Sequence, residues 1–315
     1  LIAATSMDYS KRKFLRTLAL AGVAGASHGW VNLKPNRRPS SVGYRDDWGS
    51  VREQFSLGHE RVYFNNGTLG PSPGPVLFAT MEAMKRTERS GEHHESDGSA
   101  LRERLAQFIG ASSEEISLTH NTTESVNIVA QGLPIKKGDE VILTTHEHVG
   151  HALPWLNRTR LDGVTLKSFA PEKTATQVLK QVECLITSKT RVIAIPHVSC
   201  TTGQVFPIKD LTQLAHSKKI WIFVDGAHST GMLPLNLHAL GVDFFASCGH
   251  KWLCGTKGTG YLYVKKELLE TLEAKLVGAY SDTGWSLTPP IITGLVPTAH
   301  RYDYGTQNTA LYAGF

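Results

Sequence analysis

Between residues 220 and 264 the chain places an acid and a lysine after two successive apolar runs. The first run ends in Val224-Asp225-Gly226-Ala227-His228, and the second leads to Gly249-His250-Lys251-Trp252. A glycine-rich return, Gly255-Thr256-Lys257-Gly258-Thr259-Gly260, then enters a strand at residues 261–264. In a parallel sheet both strand ends open on one carboxyl-edge crevice, where α/β proteins bind ligands. An aspartate there can keep a ring nitrogen protonated. A lysine can hold an aldehyde as an imine and then move protons at a substrate carbon. With histidines beside each, the pair suits a carbonyl-bearing cofactor held as a Schiff base. The glycine-rich return lacks G-K-[ST] and precedes a strand rather than a helix, which excludes a P-loop.

Two earlier loops bear on the same chemistry. Asn121-Thr122-Thr123-Glu124 follows a short strand (116–119) and opens a helix with capping-box-like spacing. Its hydroxyls lie beside unpaired backbone N–H groups at the positive end of the helix dipole, a cradle for phosphate; an ordinary N-cap is the plain alternative. His146-Glu147-His148-Val149-Gly150-His151 follows a strand ending at Thr144. Three histidines so close invite a metal, but Gly150 stands where H-E-x-x-H needs its second histidine. A strand-end loop offering one imidazole as a stacking surface fits as well. His93 and His94 read as a solvated loop.

The elements that would position these groups alternate. Apolar strands at 139–144, 164–169, 191–196, 220–224 and 261–264 are interleaved with helical patterns at 122–129, 176–186 and 208–218. That alternation predicts an α/β fold with a doubly wound, mostly parallel sheet flanked by helices. Residues 51–57 and 267–276 read as helices, 62–64 as a short strand, 65–73 as a loop, and 280–290 as irregular. Hydrophobic content of 41% and a formal charge of +5 describe an ordinary globular chain with no basic face for nucleic acid. The four cysteines have no CxxC spacing, so neither zinc nor a disulfide framework is indicated.

Residues 1–26 resemble a twin-arginine export signal, with Lys11 where the first arginine is usual, a mild apolar run, and small residues at 24–26. The run is too short for a stable membrane anchor. Periplasmic or exported placement is the expectation, with a cytoplasmic enzyme carrying a basic tail as the alternative. Residues 27–50 read as a linker, 51–308 as one large domain, and 309–315 as the start of a truncated carboxy-terminal domain.

Together, Asp225, Lys251, the Thr122-Thr123 helix start and a covering imidazole converge on pyridoxal 5'-phosphate. The segment from 224 to 264, with Asn121-Thr122-Thr123-Glu124, Glu147-His148 and the stretch 301–308, resembles the class V aminotransferase family, which includes cysteine desulfurases and isopenicillin N epimerase-like proteins. The resemblance covers roughly residues 62–315. It implies the large domain of the fold type I pyridoxal-phosphate transferases, with the small carboxy-terminal domain missing, and a homodimer with active sites at the subunit interface. It makes Lys251 the Schiff-base lysine, Asp225 the partner of the pyridine nitrogen, His148 the stacking imidazole, and His228 the partner of the phenolic oxygen. Thr122, Thr123 and His250 match phosphate-site positions, and Thr306 matches a residue reaching the phosphate of the neighbouring subunit. The substrate it implies is an amino acid, attacked at its alpha carbon.

The departures divide the family's branches. Cys248 stands where desulfurases usually place a phosphate-binding serine, with Ser247 one residue off as a possible compensation. Cys200 and His151 each stand in place of an asparagine. Lys251-Trp252-Leu253-Cys254 and the loop Asn66-Gly67-Thr68-Leu69-Gly70 look more like the epimerase-like branch, which the balance favours. A cysteine desulfurase or related C–S lyase is the alternative. Readings from other classes are a catalytically dead binding protein and a metal hydrolase on His146, His148 and His151.

Overall fold

The computed structural model describes residues 48–58, 60–91 and 98–315. The expected export signal, the linker up to residue 47, and His93 with His94 lie outside the described residues. Residues 47–315 form one compact unit. No helix among the described residues is long and apolar enough to cross a membrane.

Seven strands build the central sheet: β1 (Ile116–Thr119), β2 (Glu140–Thr144), β3 (Thr165–Phe169), β4 (Thr190–Pro196), β5 (Trp221–Asp225), β6 (Phe244–Cys248) and β7 (Gly260–Val264). Their order is β1-β7-β6-β5-β4-β2-β3. The pairs β2–β3, β2–β4, β4–β5 and β5–β6 are parallel. β7 runs antiparallel between β6 and β1. The parallel strands read as unbroken apolar runs because both faces are covered. On one face, Ile193, Ile195, Val224, Phe245 and Tyr261 join a core under helices α3 (Ser99–Ile109), α6 (Ala175–Leu185) and α7 (Ile208–Ser217). On the other, Phe223, Phe244, Ala246 and Leu262 join Val126 and Val129 of α4 (Thr122–Gly132) and Trp155 of α5 (Val149–Asp162). Helices α1 (Trp48–Glu53) and α2 (Gly74–Ser90) precede these, and α8 (Thr309–Ala313) ends the chain.

Several local expectations change: the helix read at 51–57 lies at Trp48–Glu53, and the stretch read as a loop holds one helical turn, Asn66–Leu69. Residues 62–64 are extended but pair with no strand, and Val62 and Phe64 are exposed. Residues 267–276 form only a 3-10 turn, Lys266–Leu268, and then turns. Tertiary donors claim the carbonyls a helix would need: Arg301 takes that of Leu269 at 3.0 Å and the Tyr302 hydroxyl takes that of Leu272 at 2.7 Å. The stretch read as irregular belongs to a hairpin, β8 (Asp282–Leu287) with β9 (Pro290–Leu295). Its prolines at the turn hide the period-two pattern.

The expected start of a further domain at 309–315 packs against this unit. The Thr256 hydroxyl donates to the Leu311 carbonyl at 3.0 Å, and Phe315 lies against the first core. The preceding stretch is anchored by Asp303, whose carboxylate accepts from Arg102, from the Ser117 hydroxyl at 2.5 Å and from the Leu118 amide at 3.0 Å. Burial pushes the Asp303 carboxyl up, and Arg102 and Ser117 oppose that. Replacing Asp303 with Ala leaves a buried guanidinium without this carboxylate, so chemical denaturation should show a loss of about 3 kcal/mol or more. A change below about 0.5 kcal/mol would contradict this anchoring role.

Candidate functional site

The parallel register of β5 with β6 pairs Val224 with Phe245 and Asp225 with Ala246, so both strands reach the same sheet edge. Asp225 closes β5 and is 7% exposed. Its Oδ1 accepts from the Ala227 amide at 2.9 Å, which tethers the carboxylate to the turn beyond the strand. Lys251 stands three residues past β6 and is 8% exposed. Its Nζ lies 3.2 Å from His228 Nε2. Trp252 Nε1 donates to His228 Nδ1 at 3.4 Å, so the imidazole is held from both sides. The loop 65–70 presses on the same segment. The Gly70 amide donates to the His250 carbonyl at 2.7 Å, and a Cβ at Gly70 would fall 2.0 Å from the Lys251 carbonyl oxygen. Only glycine permits that approach. The sequence signal for it is the glycine-dense loop itself, although its partner is about 180 residues away in sequence.

The start of α4 faces this edge. Asn121 caps it, its side-chain oxygen accepting from the Glu124 amide at 2.9 Å. Glu124 returns to the His120 amide at 2.6 Å rather than to the cap residue's own N–H, so the capping box is displaced by one residue. Thr122 Oγ1 and His250 Nδ1 are buried without hydrogen-bond partners. Thr123 is exposed at the helix start, and Asn127 caps its carbonyl. Ser247 is not brought to this cradle. It alternates with Cys248 along β6, packs beside Tyr261, and donates to the Gly226 carbonyl at 3.1 Å. Cys248 shares the face of Ala246, the α4 side, and burial raises its thiol pKa.

His148 caps α5, its Nδ1 accepting from the Gly150 amide at 3.0 Å. That bond leaves the proton of the neutral ring on Nε2. Gly150 is needed here, because a Cβ would come within 2.3 Å of Thr123 Oγ1. Glu147 turns inward, and its Oε2 lies 2.6 Å from His151 Nδ1. With His148 tied to Gly150 and His151 to Glu147, the three histidines do not converge. Among the described residues no group of three His, Cys, Asp or Glu is placed to hold a metal ion. Thr306 is exposed, outside the cluster formed by Asp225, Lys251, His228 and His148 within this protomer. The neighbouring Tyr304 hydroxyl donates to Glu124 at 3.2 Å, which holds this stretch against the start of α4.

Burial and nearby charge lower the pKa values of the imidazoles at this edge. Burial, then the Lys251 charge, lowers His228 to about 4. Partial burial and Lys251 also lower His148, and Asp225 opposes them. His250 is lowered by burial, then by Lys251 and Lys257. His197, at the end of β4 beside Asp225, is lowered to about 4 by burial alone. A histidine with a depressed folded pKa leaves the unfolded chain holding the extra proton. Stability from this source is therefore whole above about pH 6.5 and falls as pH drops toward 4. Urea midpoints for the protein and for His197→Asn should diverge over that window, by no more than about 1.4 kcal/mol per pH unit, with the histidine form losing more. Parallel curves would contradict the burial assignment.

Comparison with known proteins places these features in a family. The profile Aminotransferase class-V matches residues 79–315. The chain is 33% identical over 283 residues to a probable cysteine desulfurase of Methanothermobacter thermautotrophicus, covering 84% of this chain and 67% of that protein. It is 30% identical over 270 residues to isopenicillin N epimerase of Streptomyces clavuligerus, covering 82% and 65%. Among solved structures, the cysteine desulfurase of Thermococcus onnurineus superposes with a TM-score of 0.76 at 30% identity, covering 87% of this chain and 71% of that one. A C-DES structure with glycine covalently linked to its PLP cofactor superposes with a TM-score of 0.75 at 29% identity, covering 84% and 71%. The chain thus spans about two thirds of these relatives, and its strand-end acid and lysine, its helix start and its Glu-His loop lie on the fold they share. It belongs to the class V aminotransferase family.

Proposed function

We propose that this chain carries a pyridoxal 5'-phosphate site for chemistry at the alpha carbon of an amino acid. The observation that carries the reading is the meeting of Asp225, Lys251, His228 and His148 at one sheet edge, beside two buried polar atoms without partners. Of those atoms, Thr122 Oγ1 lies at the helix start where the α4 dipole favours an anion, and His250 Nδ1 belongs to the residue next to Lys251, so the residues present fit the cofactor's phosphate. When bound, the cofactor supplies an electron sink for a carbanion at the substrate.

The remaining work falls to the chain. Lys251 Nζ would be the amine that holds the cofactor and the base placed to take the alpha proton. Asp225 keeps the ring nitrogen protonated by charge. His228, whose Nδ1 accepts from Trp252, keeps its proton on Nε2, beside Lys251, and would offer it to the ring oxygen. His148 would cover the ring face with its imidazole. Ser247 is left out of the phosphate cradle, its hydroxyl being spent on Gly226.

Two outcomes follow from one alpha-proton removal, and relatives of both kinds exist. Isopenicillin N epimerase-like chemistry would return the proton to the other face; cysteine desulfurase-like chemistry would break the C–S bond as a nucleophilic thiol takes the sulfur to form a persulfide. The higher identities belong to proteins named as desulfurases, 33% against 30%, while Trp252 and the 66–70 loop favour the epimerase-like branch.

A homodimer completes the account. Val149, Leu153 and Leu156 form an exposed apolar stripe on α5 beside His148, and Thr306 is exposed and free to reach a second copy. Light scattering should give a dimer, and Leu153→Lys should shift it toward monomer; a wild-type monomer retaining full cofactor occupancy would sink the dimer.

Borohydride reduction after incubation with pyridoxal 5'-phosphate should add one cofactor to the peptide holding Lys251, and Lys251→Ala should abolish it. Asp225→Ala should lower alpha-deuterium exchange by about 10²–10³-fold. Release of sulfide from cysteine in the presence of a thiol reductant, against solvent-deuterium exchange without it, separates the lyase from the epimerase. Labelling elsewhere, or none, would refute the assignment.

A further inference from the structure

The glycine-rich return, residues 255–260, is tied into the lysine segment and has no role in the chemistry above. The Gly255 amide donates to the Gly249 carbonyl at 2.8 Å, and the Gly249 amide donates to the Thr259 carbonyl at 3.0 Å. Gly258, with φ at +84°, reverses the chain between them. The Thr259 hydroxyl closes the turn on the Thr256 carbonyl at 2.6 Å. The return is a bracket built on Gly249, two residues before Lys251.

Lys257 projects from that bracket. The residue is exposed, yet its ammonium is committed: Nζ donates to the Gly70 carbonyl at 2.8 Å and to Ser72 Oγ at 3.1 Å. Ser72 is 7% exposed, and its hydroxyl donates onward to the Gly255 carbonyl at 2.8 Å. The same loop meets the site. The Gly70 amide holds the His250 carbonyl, and a Cβ at Gly67 would lie 3.0 Å from His228 Cε1. Within the loop the Tyr63 hydroxyl donates to the Leu69 carbonyl at 2.6 Å, which braces the turn Asn66–Leu69 against its own flank. A ring of contacts thus runs from Gly249 through the return and Lys257 to Gly70 and Ser72, and back to His250. Charge-assisted hydrogen bonds are about twice as strong as neutral ones, and the ammonium supplies two of them to this ring.

We propose that Lys257 is a positioning residue: it clamps the 65–72 loop against His228 and the Lys251 segment, and so fixes the imidazole beside Lys251 Nζ. The inference rests on the pyridoxal-phosphate reading and deepens it. His228 has Trp252 at Nδ1 and Lys251 at Nε2, and Gly67 bounds the edge between them, at Cε1. With the loop lifted, the imidazole is free to turn, and the cofactor's ring oxygen loses its donor for part of the time. The ammonium acts through Gly70 and Ser72, not by its own charge on the ring.

The test compares Lys257→Met, which removes the charge and keeps a long stem, with Ser72→Ala, which keeps the charge and removes one acceptor. Hydrogen exchange of the cofactor-free protein should show the Gly70 amide losing protection about tenfold or more in Lys257→Met, and less in Ser72→Ala. In protein loaded with pyridoxal 5'-phosphate, the pH midpoint of the visible band should move alkaline by about half a unit in Lys257→Met. A loosened His228 no longer steadies charge on the ring oxygen, so the nearby nitrogen holds its proton to higher pH. Ser72→Ala should move the midpoint the same way, and the double variant by less than the sum of the two. A residue that only supports the fold would lower the melting temperature and leave the midpoint in place. Unchanged protection at Gly70, an unmoved midpoint, or one moved by Lys257→Met alone as a lost charge would move it, overturns the proposal. A wild-type protein with no visible band sinks the cofactor reading and the role beside the ring, and the Gly70 exchange then decides the clamp by itself.

Discussion

The parallel pairing of β5 with β6 is the constraint on which the site depends. Three register pairs, ending at Asp225 with Ala246, bring the acid and the strand that leads to Lys251 to one edge. A slip of one residue would turn Asp225 to the opposite face and remove it from α4, α5 and the crevice they form with the sheet. That register is enforced by burial on both sides. Val224 and Phe245 lock into one core, Phe223, Phe244 and Ala246 into the other. Core packing and site geometry are thus one arrangement, and the charged groups are carried where the apolar residues send them.

The loops then complete what the strands begin. α4 brings an unsatisfied hydroxyl and a helix dipole, α5 brings an imidazole at its cap, and the 65–70 loop closes down on the Lys251 backbone. Each contact is permitted by a residue with no side chain to spare: Gly150 against Thr123, Gly70 against Lys251. The buried Asp303 anchor holds the chain's last stretch against β1, with Tyr304 reaching Glu124. The helix start and the stretch holding Thr306 are therefore linked by named contacts.

Much of this was legible in the sequence. Strand periodicity and the Asp-Gly-Ala-His and Gly-His-Lys segments located β5, β6 and the two residues between which the site forms. Less local features were not legible. Ser247 and Cys248 differ in role because they alternate across β6, and no spacing rule says which face α4 will cover. The expected helix at 267–276 fails because Arg301 and Tyr302, some thirty residues on, take its carbonyls. The hairpin β8–β9 was concealed by its prolines. His151 invited a metal in sequence, but it is buried in the fold with its Nδ1 tied to Glu147.

The central claim is that one sheet edge holds pyridoxal 5'-phosphate between Asp225, Lys251 and the start of α4. A crystal structure of the protein grown with that cofactor tests it most directly. The account predicts continuous density from Lys251 Nζ to the cofactor, its ring nitrogen at Asp225, its ring face under His148, and its phosphate at Thr122 and His250. A cofactor joined to another lysine such as Lys257, or a phosphate lying away from Thr122, would contradict it.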